Sequence, residues 1–192
     1  WTEPQLRLRT RSGIKKYDLI ERIGDETFWF DAEIGKPKFE SDQVPVILPT
    51  PRPAVVNEQI EINGRMYGFS AVNVGNPVAC IFVDTFDLDW RIIGRSMERH
   101  AVFPEGVNVV FVRVIDRENI ELRIWERGAG ETSSSGTCSS GAAVLSSLLL
   151  KTERTVSVHS PGGMTKVDWR DDDEMVLTGR ADLAFCGEWP AH

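Results

Sequence analysis

Glu126 and Arg127 stand side by side ahead of a stretch dominated by glycine and hydroxyl side chains, Gly128-Ala129-Gly130-Glu131-Thr132-Ser133-Ser134-Ser135-Gly136-Thr137-Cys138-Ser139-Ser140-Gly141. That stretch runs into Ala142-Ala143-Val144-Leu145-Ser146-Ser147-Leu148-Leu149-Leu150-Lys151. A carboxylate beside a guanidinium suits a ligand that carries both an ammonium and a carboxylate group. The small residues suit a helix start, where unpaired backbone N–H groups and the positive end of the dipole attract an anion, and where Ser and Thr side chains accept from the first free amides. Only Ser146 and Ser147 interrupt the apolar run from Ala142 to Leu150, too little for a polar face, so a helix over about Ser135 to Leu150 is predicted to be buried. A capped core helix after a flexible turn accounts for the same composition, because Gly/Ser loops before helices are common. The loop alone leaves both readings open.

Other elements must hold this loop. Arg123-Ile124-Trp125 has strand composition and the glycines at 128 and 130 stop it. Upstream, Leu6 to Gly13, Lys16 to Glu21 and Thr27 to Ala32 alternate apolar and polar residues, with turns at Gly13 and Gly24-Asp25, and read as an antiparallel meander. Arg7, Arg9 and Arg11 share one face there, read as a solvated strand face rather than a phosphate-binding stripe. Five prolines between Gly35 and Pro53 (Pro37, Pro45, Pro49, Pro51, Pro53) mark the candidate linker. Beyond it Gln59–Ile62 and Arg65–Ser70 flank Asn63-Gly64, a hairpin signal; Ala79–Val83 reads as a buried strand, and Leu88–Glu98 as a helix with Asp87 as its cap. Strands are predicted over Val107–Ile115, Ile120–Trp125, Val156–His159, Thr165–Trp169, Met175–Leu177 and Ala181–Phe185.

The run Glu126 to Thr132, followed by Gly136-Thr137, resembles the second active-site loop of the diaminopimelate epimerase family, cofactor-independent amino-acid epimerases. Val74-Gly75-Asn76-Pro77 is similar to that family's Met-Gly-Asn-Pro segment. His100 with Phe103-Pro104-Glu105-Gly106-Val107-Asn108-Val109 is similar to its His…Phe-Pro-x-x-Val-Asn-Val segment, and Pro161-Gly162-Gly163 and Thr178-Gly179 match its closing strands. The resemblance covers the chain from about Arg11 to Gly187. It implies an α+β fold, a mixed or antiparallel sheet curled around a central buried helix. It also implies an organisation with residues 1–56 as a remnant of an N-terminal domain plus the Pro-rich linker, 57–178 as a C-terminal domain, and 179–192 as a terminal strand returning toward the first domain.

For chemistry, the resemblance implies that an amino acid is held by its carboxylate and ammonium groups between two acid/base groups, with no cofactor and no metal. Asn76 and Asn108 match the substrate-contacting asparagines, Glu126 and Arg127 the ammonium and carboxylate contacts, and Gly136 and Thr137 the carboxylate-binding N–H donors. Ser135 stands where the family has its second catalytic cysteine, so Ser135 and Glu126 are the candidate catalytic residues. Cys138 falls where the family has Gly, and Val78 where it has His. A stretch carrying the first cysteine has no counterpart in these residues. The expected activity is epimerisation of L,L- to meso-diaminopimelate, in lysine and peptidoglycan precursor synthesis. The alternatives are a one-base racemase-like or dehydratase-like relative and a non-catalytic amino-acid-binding protein. The expected partners are the amino-acid substrate and a second copy in a homodimer.

Composition bounds these expectations. With 192 residues, of which 41% are hydrophobic, the chain can bury one good core or two small ones. A net charge of −7 without a Lys/Arg cluster argues against a general nucleic-acid or anionic-membrane binder, and the longest apolar run is too short to span a bilayer. Three cysteines, Cys80, Cys138 and Cys186, without metal spacing suggest a reducing, cytoplasmic setting. Cys138 reads as a small buried residue of the helix's first turn. His100, His159 and His192 are scattered and read as structural or surface residues, and Asp171–Glu174 as a solvated turn.

Overall fold

Period-two alternation produces the first three strands: β1 (Gln5–Thr10), β2 (Gly13–Ile23) and β3 (Thr27–Gly35), paired antiparallel in sequence order. The structure, a computed structural model, describes residues 3–10 and 13–188; Arg11 of the arginine stripe and His192 lie outside the described residues. β4 (Val55–Ile62) and β5 (Arg65–Asn73) form the expected hairpin, with Asn63 and Gly64 at φ 51° and 76°, the left-handed pair a two-residue turn of this hand requires. There follow β6 (Pro77–Phe82), α1 (Trp90–Glu98), β7 (Asn108–Val114), β8 (Asn119–Glu126), β9 (Gly130–Thr132), α2 (Gly136–Leu148), β10 (Thr155–Ser160), β11 (Gly163–Trp169) and β12 (Met175–Asp182).

The twelve strands of the described residues join one sheet in the order β1-β2-β3-β12-β11-β10-β8-β7-β6-β5-β4, with β9 on β8. Two neighbouring pairs, β6/β7 and β8/β10, are parallel. A parallel pair needs a crossover rather than a tight turn, and these two crossovers carry α1 and α2. Helix α2 packs against β5, β6, β7, β8, β10, β11 and β12, so strands from both sides of it in sequence enclose it. The expected fold class, a mixed sheet around a buried helix, is the observed one.

The burial of α2 follows from its composition. Residues 138–147 are all buried, and Val144 and Leu145 join Val72, Val110, Leu122 and Val158 in the core on that side. Each such side chain contributes about 1.5–3 kcal/mol by leaving water. Its internal serines are satisfied locally: Ser140 Oγ donates to Gly136 O at 2.9 Å and Ser146 Oγ to Ala142 O at 2.7 Å. The helix stops two residues before the expected end. Leu150 N donates to Ser147 O and Lys151 N to Ser146 O, the paired bonds of a Schellman ending, with Leu150 itself left-handed at φ 57° and 82% exposed. On the other side of the sheet α1 packs Trp90, Ile93 and Met97 against Ile60, Phe69, Phe111 and Trp125.

Four further local differences from the sequence reading have physical causes. Helix α1 begins at Trp90 with Asp89 at the N-cap position, because Asp87 is turned into a local bend where its N–H donates to Thr85 Oγ1. The Pro-rich stretch has more apolar anchoring than a linker needs: Val44 and Val46 are buried, and Ser41 Oγ accepts from Arg52 N at 3.0 Å across it. β12 is one strand running through Gly179, which pairs with Phe30, instead of two segments, and it ends at Asp182, short of the expected Phe185. β9 has no counterpart among the expected strands; its three residues are too few to show a period.

Candidate active site

β8 ends at Glu126, and the turn Arg127-Gly128-Ala129 returns the chain as β9, with Glu126 paired to Gly130. Gly128 and Gly130 adopt φ 76° and 82°, which side-chain-bearing residues resist. After β9 the chain is fixed from outside by the β10–β11 turn. Gly162 N donates to Ser133 O at 2.7 Å, and a Cβ at Gly162 would lie 2.9 Å from Ser134 Cβ.

Ser135 is the N-cap residue of α2, extended at φ −156° and ψ 122°, and its carbonyl accepts from Ser139 N at 2.9 Å. Its side chain makes no capping bond. Oγ instead donates to Glu126 Oε2 at 2.8 Å and sits 3.5 Å from Thr137 Oγ1. The first amides of α2, at the positive end of its dipole, thus have no side-chain cap. They open onto a cleft of about 390 Å³ lined by Lys15, Tyr17, Val74, Gly75, Gly136 and Thr137 among others. A Cβ at Gly136 would approach Leu177 Cδ2 to 2.9 Å, so a larger residue there requires that leucine side chain to move.

Arg127 is held by a second set of contacts. Its backbone N–H donates to Asn108 Oδ1 at 2.9 Å, and Asn108 Nδ2 donates to Pro77 O at 3.0 Å, so the buried Asn108 ties the Arg127 turn to the start of β6. The guanidinium donates to Glu105 O at 2.7 Å and to Asn76 Oδ1 at 3.0 Å, and the side chain is otherwise exposed. The candidate residues therefore form two clusters, Glu126 with Ser135, Gly136 and Thr137, and Arg127 with Asn76 and Asn108, joined through the 126–127 peptide. No direct bond links the Arg127 side chain to Ser135 among the described residues.

Cys138 and Val78 are fully buried. Burial pushes the Cys138 thiol up to about 12; a hydrogen bond with Ser135 opposes this and the Glu126 charge adds to it. Cys80 is pushed well above the ordinary thiol value by burial, with Cys138 contributing. Val78 packs against α2 at Gly141, where a Cβ would lie 3.0 Å from Val78 Cβ. Positions 78 and 138 therefore present packing surface rather than acid/base groups at neutral pH. His100 Nδ1 accepts from Val102 N at 3.2 Å and His159 Nε2 lies 3.1 Å from Asn119 Oδ1, both structural contacts. Among the described residues no group of His, Cys, Asp and Glu is placed to hold a metal ion, and no helix is long and apolar enough to cross a membrane.

One contributor that the sequence reading does not single out is Glu98 at the end of α1. It is 7% exposed, and it accepts from Trp125 Nε1 at 2.8 Å and from Gly128 N at 2.9 Å. Burial alone would raise its pKa. The two hydrogen bonds, with Arg99 and Arg127 nearby, hold it below the usual carboxylate value instead. Its one signal in the sequence is a charged residue at an apolar helix position.

The chain is similar to known proteins. A profile of the family described as Diaminopimelate epimerase matches residues 70–184. The diaminopimelate epimerase of Caldanaerobacter subterraneus subsp. tengcongensis is 40% identical over 156 residues, 81% of this chain and 56% of that protein. The diaminopimelate epimerase of Desulfitobacterium hafniense is 35% identical over 183 residues, 95% of this chain and 64% of that one. The chain thus spans less than two thirds of the length of these relatives. Among solved structures, a probable proline racemase from Agrobacterium radiobacter with bound carbonate superposes with a TM-score of 0.66 at 16% identity, covering 100% of this chain and 62% of that one. A hydroxyproline epimerase from Agrobacterium vitis, with bound trans-4-hydroxy-L-proline, superposes with a TM-score of 0.63 at 14% identity over 95% of this chain and 58% of that one, and at these identities the likeness concerns the fold alone. By its matched profile over the loop, the strands and the helix that build the site, the chain belongs to the diaminopimelate epimerase family.

Proposed function

We propose that this chain carries the substrate-binding part and one acid/base group of an isomerase that acts on the α-carbon of an amino acid, diaminopimelate, without a cofactor. The observation that carries the reading is the 2.8 Å bond from Ser135 Oγ to Glu126 at the mouth of the uncapped α2 N-terminus. In this reading the Gly136 and Thr137 amides bind the carboxylate of the reacting centre, and the same dipole stabilises the negative charge that grows there as the α-proton leaves. Arg127, steadied by Asn76 and Asn108, binds the distal carboxylate, and Glu126 attracts an ammonium group. Ser135 exchanges a proton with the α-carbon, and Glu126 takes up the hydroxyl proton that serine alone is too weak an acid to release.

The resemblance assigns the opposing group to a cysteine in a stretch that has no counterpart in these residues. It also assigns residues 1–56 and 179–192 to a domain completed by that stretch, and it implies a cytoplasmic homodimer. A one-base variant of the same chemistry has its own support, because Cys138 and Val78 are buried where they offer no second base. Solvent deuterium incorporation into L,L-diaminopimelate, followed on this chain and on the full open reading frame, decides between the readings. Two-base epimerisation gives exchange with inversion to the meso form, and one-base action gives exchange with retention. Ser135→Ala is expected to lower exchange by about 10²-fold or more. Exchange that is unchanged by Ser135→Ala refutes the assignment of Ser135.

A further inference from the structure

Gly94 and Glu98 lie one turn apart on the same face of α1, and that face meets β8 at Trp125. Gly94 permits the contact, since a Cβ there would fall 2.8 Å from Trp125 Cβ. The close approach brings the Glu98 carboxylate under the β8–β9 turn, where each oxygen has its own donor: Oε2 the Trp125 indole at 2.8 Å, Oε1 the Gly128 amide at 2.9 Å. These two donors flank Glu126 and Arg127 in the chain. On the far side Asn108 takes the Arg127 amide at 2.9 Å, and Gly106 leaves room for the arginine stem, because a Cβ there would lie 2.9 Å from Arg127 Cδ.

We infer that Glu98 is a positioning residue for Arg127, its buried carboxylate locking the turn that aims the guanidinium at the substrate. The substrate role of Arg127 rests on the function proposed above; the lock itself does not. A buried carboxylate is costly unless its oxygens are satisfied, and both are used here. An apolar side chain fills the core equally well, but it leaves the Gly128 amide unpaired and the turn free to move. A carboxamide of the same shape accepts from one donor and turns an N–H toward the other.

Glu98→Leu, which has no acceptor, is therefore compared with Trp125→Phe, which removes the indole donor while the Gly128 bond stays. Gly128 amide hydrogen exchange is read by NMR, and the affinity for L,L-diaminopimelate by calorimetry. Glu98→Leu is expected to speed Gly128 exchange and weaken binding, each by about tenfold or more. Trp125→Phe, at a comparable loss of thermal stability, is expected to leave both near the wild-type values. If Glu98→Leu does not fold, Glu98→Asp, which keeps the charge and shortens the reach, is expected to speed Gly128 exchange in its place. Unchanged Gly128 exchange in the Glu98 variant, or equal effects of the Glu98 and Trp125 substitutions, overturns the inference. A wild-type chain that binds no diaminopimelate counts against the substrate reading, and Gly128 exchange then decides on Glu98 alone.

Discussion

Replacing Ser135 by Cys puts a thiol at the position where the family pattern has one, and the structure shows which of two opposing effects governs it. The N-terminus of α2 favours the thiolate, by roughly 0.3–1 kcal/mol for a charge within the first turn, less than one pKa unit. Glu126 opposes it, its carboxylate lying 2.8 Å from the present Oγ. Sulfur is larger, and at a separation of about 4 Å the repulsion is roughly 1 kcal/mol in water and 4 kcal/mol at an effective dielectric constant of 20, on the order of one to three pKa units. Ser135 is half-buried, so the value falls between these limits. The carboxylate wins. Ser135→Cys alone is expected to titrate above the ordinary thiol value of about 8.5, and the double substitution with Glu126→Gln is expected to bring it at least about one unit lower. The assay is the pH dependence of ultraviolet thiolate absorbance and of alkylation rate, taken as the difference from the wild-type chain so that Cys186 cancels. A single variant that is already thiolate at neutral pH would show that the helix terminus outweighs Glu126. The Ser135–Glu126 pairing would then be a poor guide to how this site handles protons.

Other perturbations test the remaining contacts. Asn108→Ala leaves the Arg127 amide and Pro77 carbonyl unpaired in a buried place, and is expected to cost about 1–3 kcal/mol in urea unfolding and to weaken diaminopimelate binding; unchanged stability would mean that water replaces the side chain. Gly141→Ala drives a methyl to 3.0 Å from Val78 Cβ and Cγ1 and 3.2 Å from Cγ2 and is expected to cost about 1–3 kcal/mol, with Val78→Ala in the same chain, which removes both Cγ atoms, recovering part of it; additive losses would place the strain elsewhere. Thiol labelling is expected to modify the exposed Cys186 in the folded protein and to reach Cys80 and Cys138 only on unfolding. The raised Cys138 pKa has a definite sign: the unfolded chain gives up this proton at lower pH than the folded one. The stability tied to it is therefore complete below about pH 8.5 and is lost as pH rises toward 12. A Cys138→Ala variant whose stability falls as steeply over that range would remove Cys138 as the cause.

The burial of α2 is legible in its residues alone, because a segment with no polar face has nowhere to go but the interior. The hairpin at Asn63-Gly64 is legible too, since only a left-handed pair closes it. The loop from Glu126 to Thr137 stands out by residue type and spacing, and its Ser135 and Glu126 are hydrogen-bonded in the fold. Short elements and ends are less legible. β9 spans too few residues for a period, and the start of α1 depends on a local Asp87–Thr85 contact rather than on propensity. The anchoring of Val44 and Val46 is hidden among prolines.

The sequence by itself determined the local chemistry: which side chains can accept or release a proton, where an uncapped helix start offers amides to an anion, and which glycines must turn the chain. The order of the sheet came only with the tertiary structure, because pairing β12 with β3, or β10 with β8, depends on contacts between distant segments whose strand patterns are interchangeable. The same holds for Glu98. In sequence it is one acidic residue at the end of a helix, about thirty positions from the turn it supports, and its meaning appears only when Gly94 lets α1 close on Trp125 and a carboxylate that would otherwise seek water finds two N–H donors in the core.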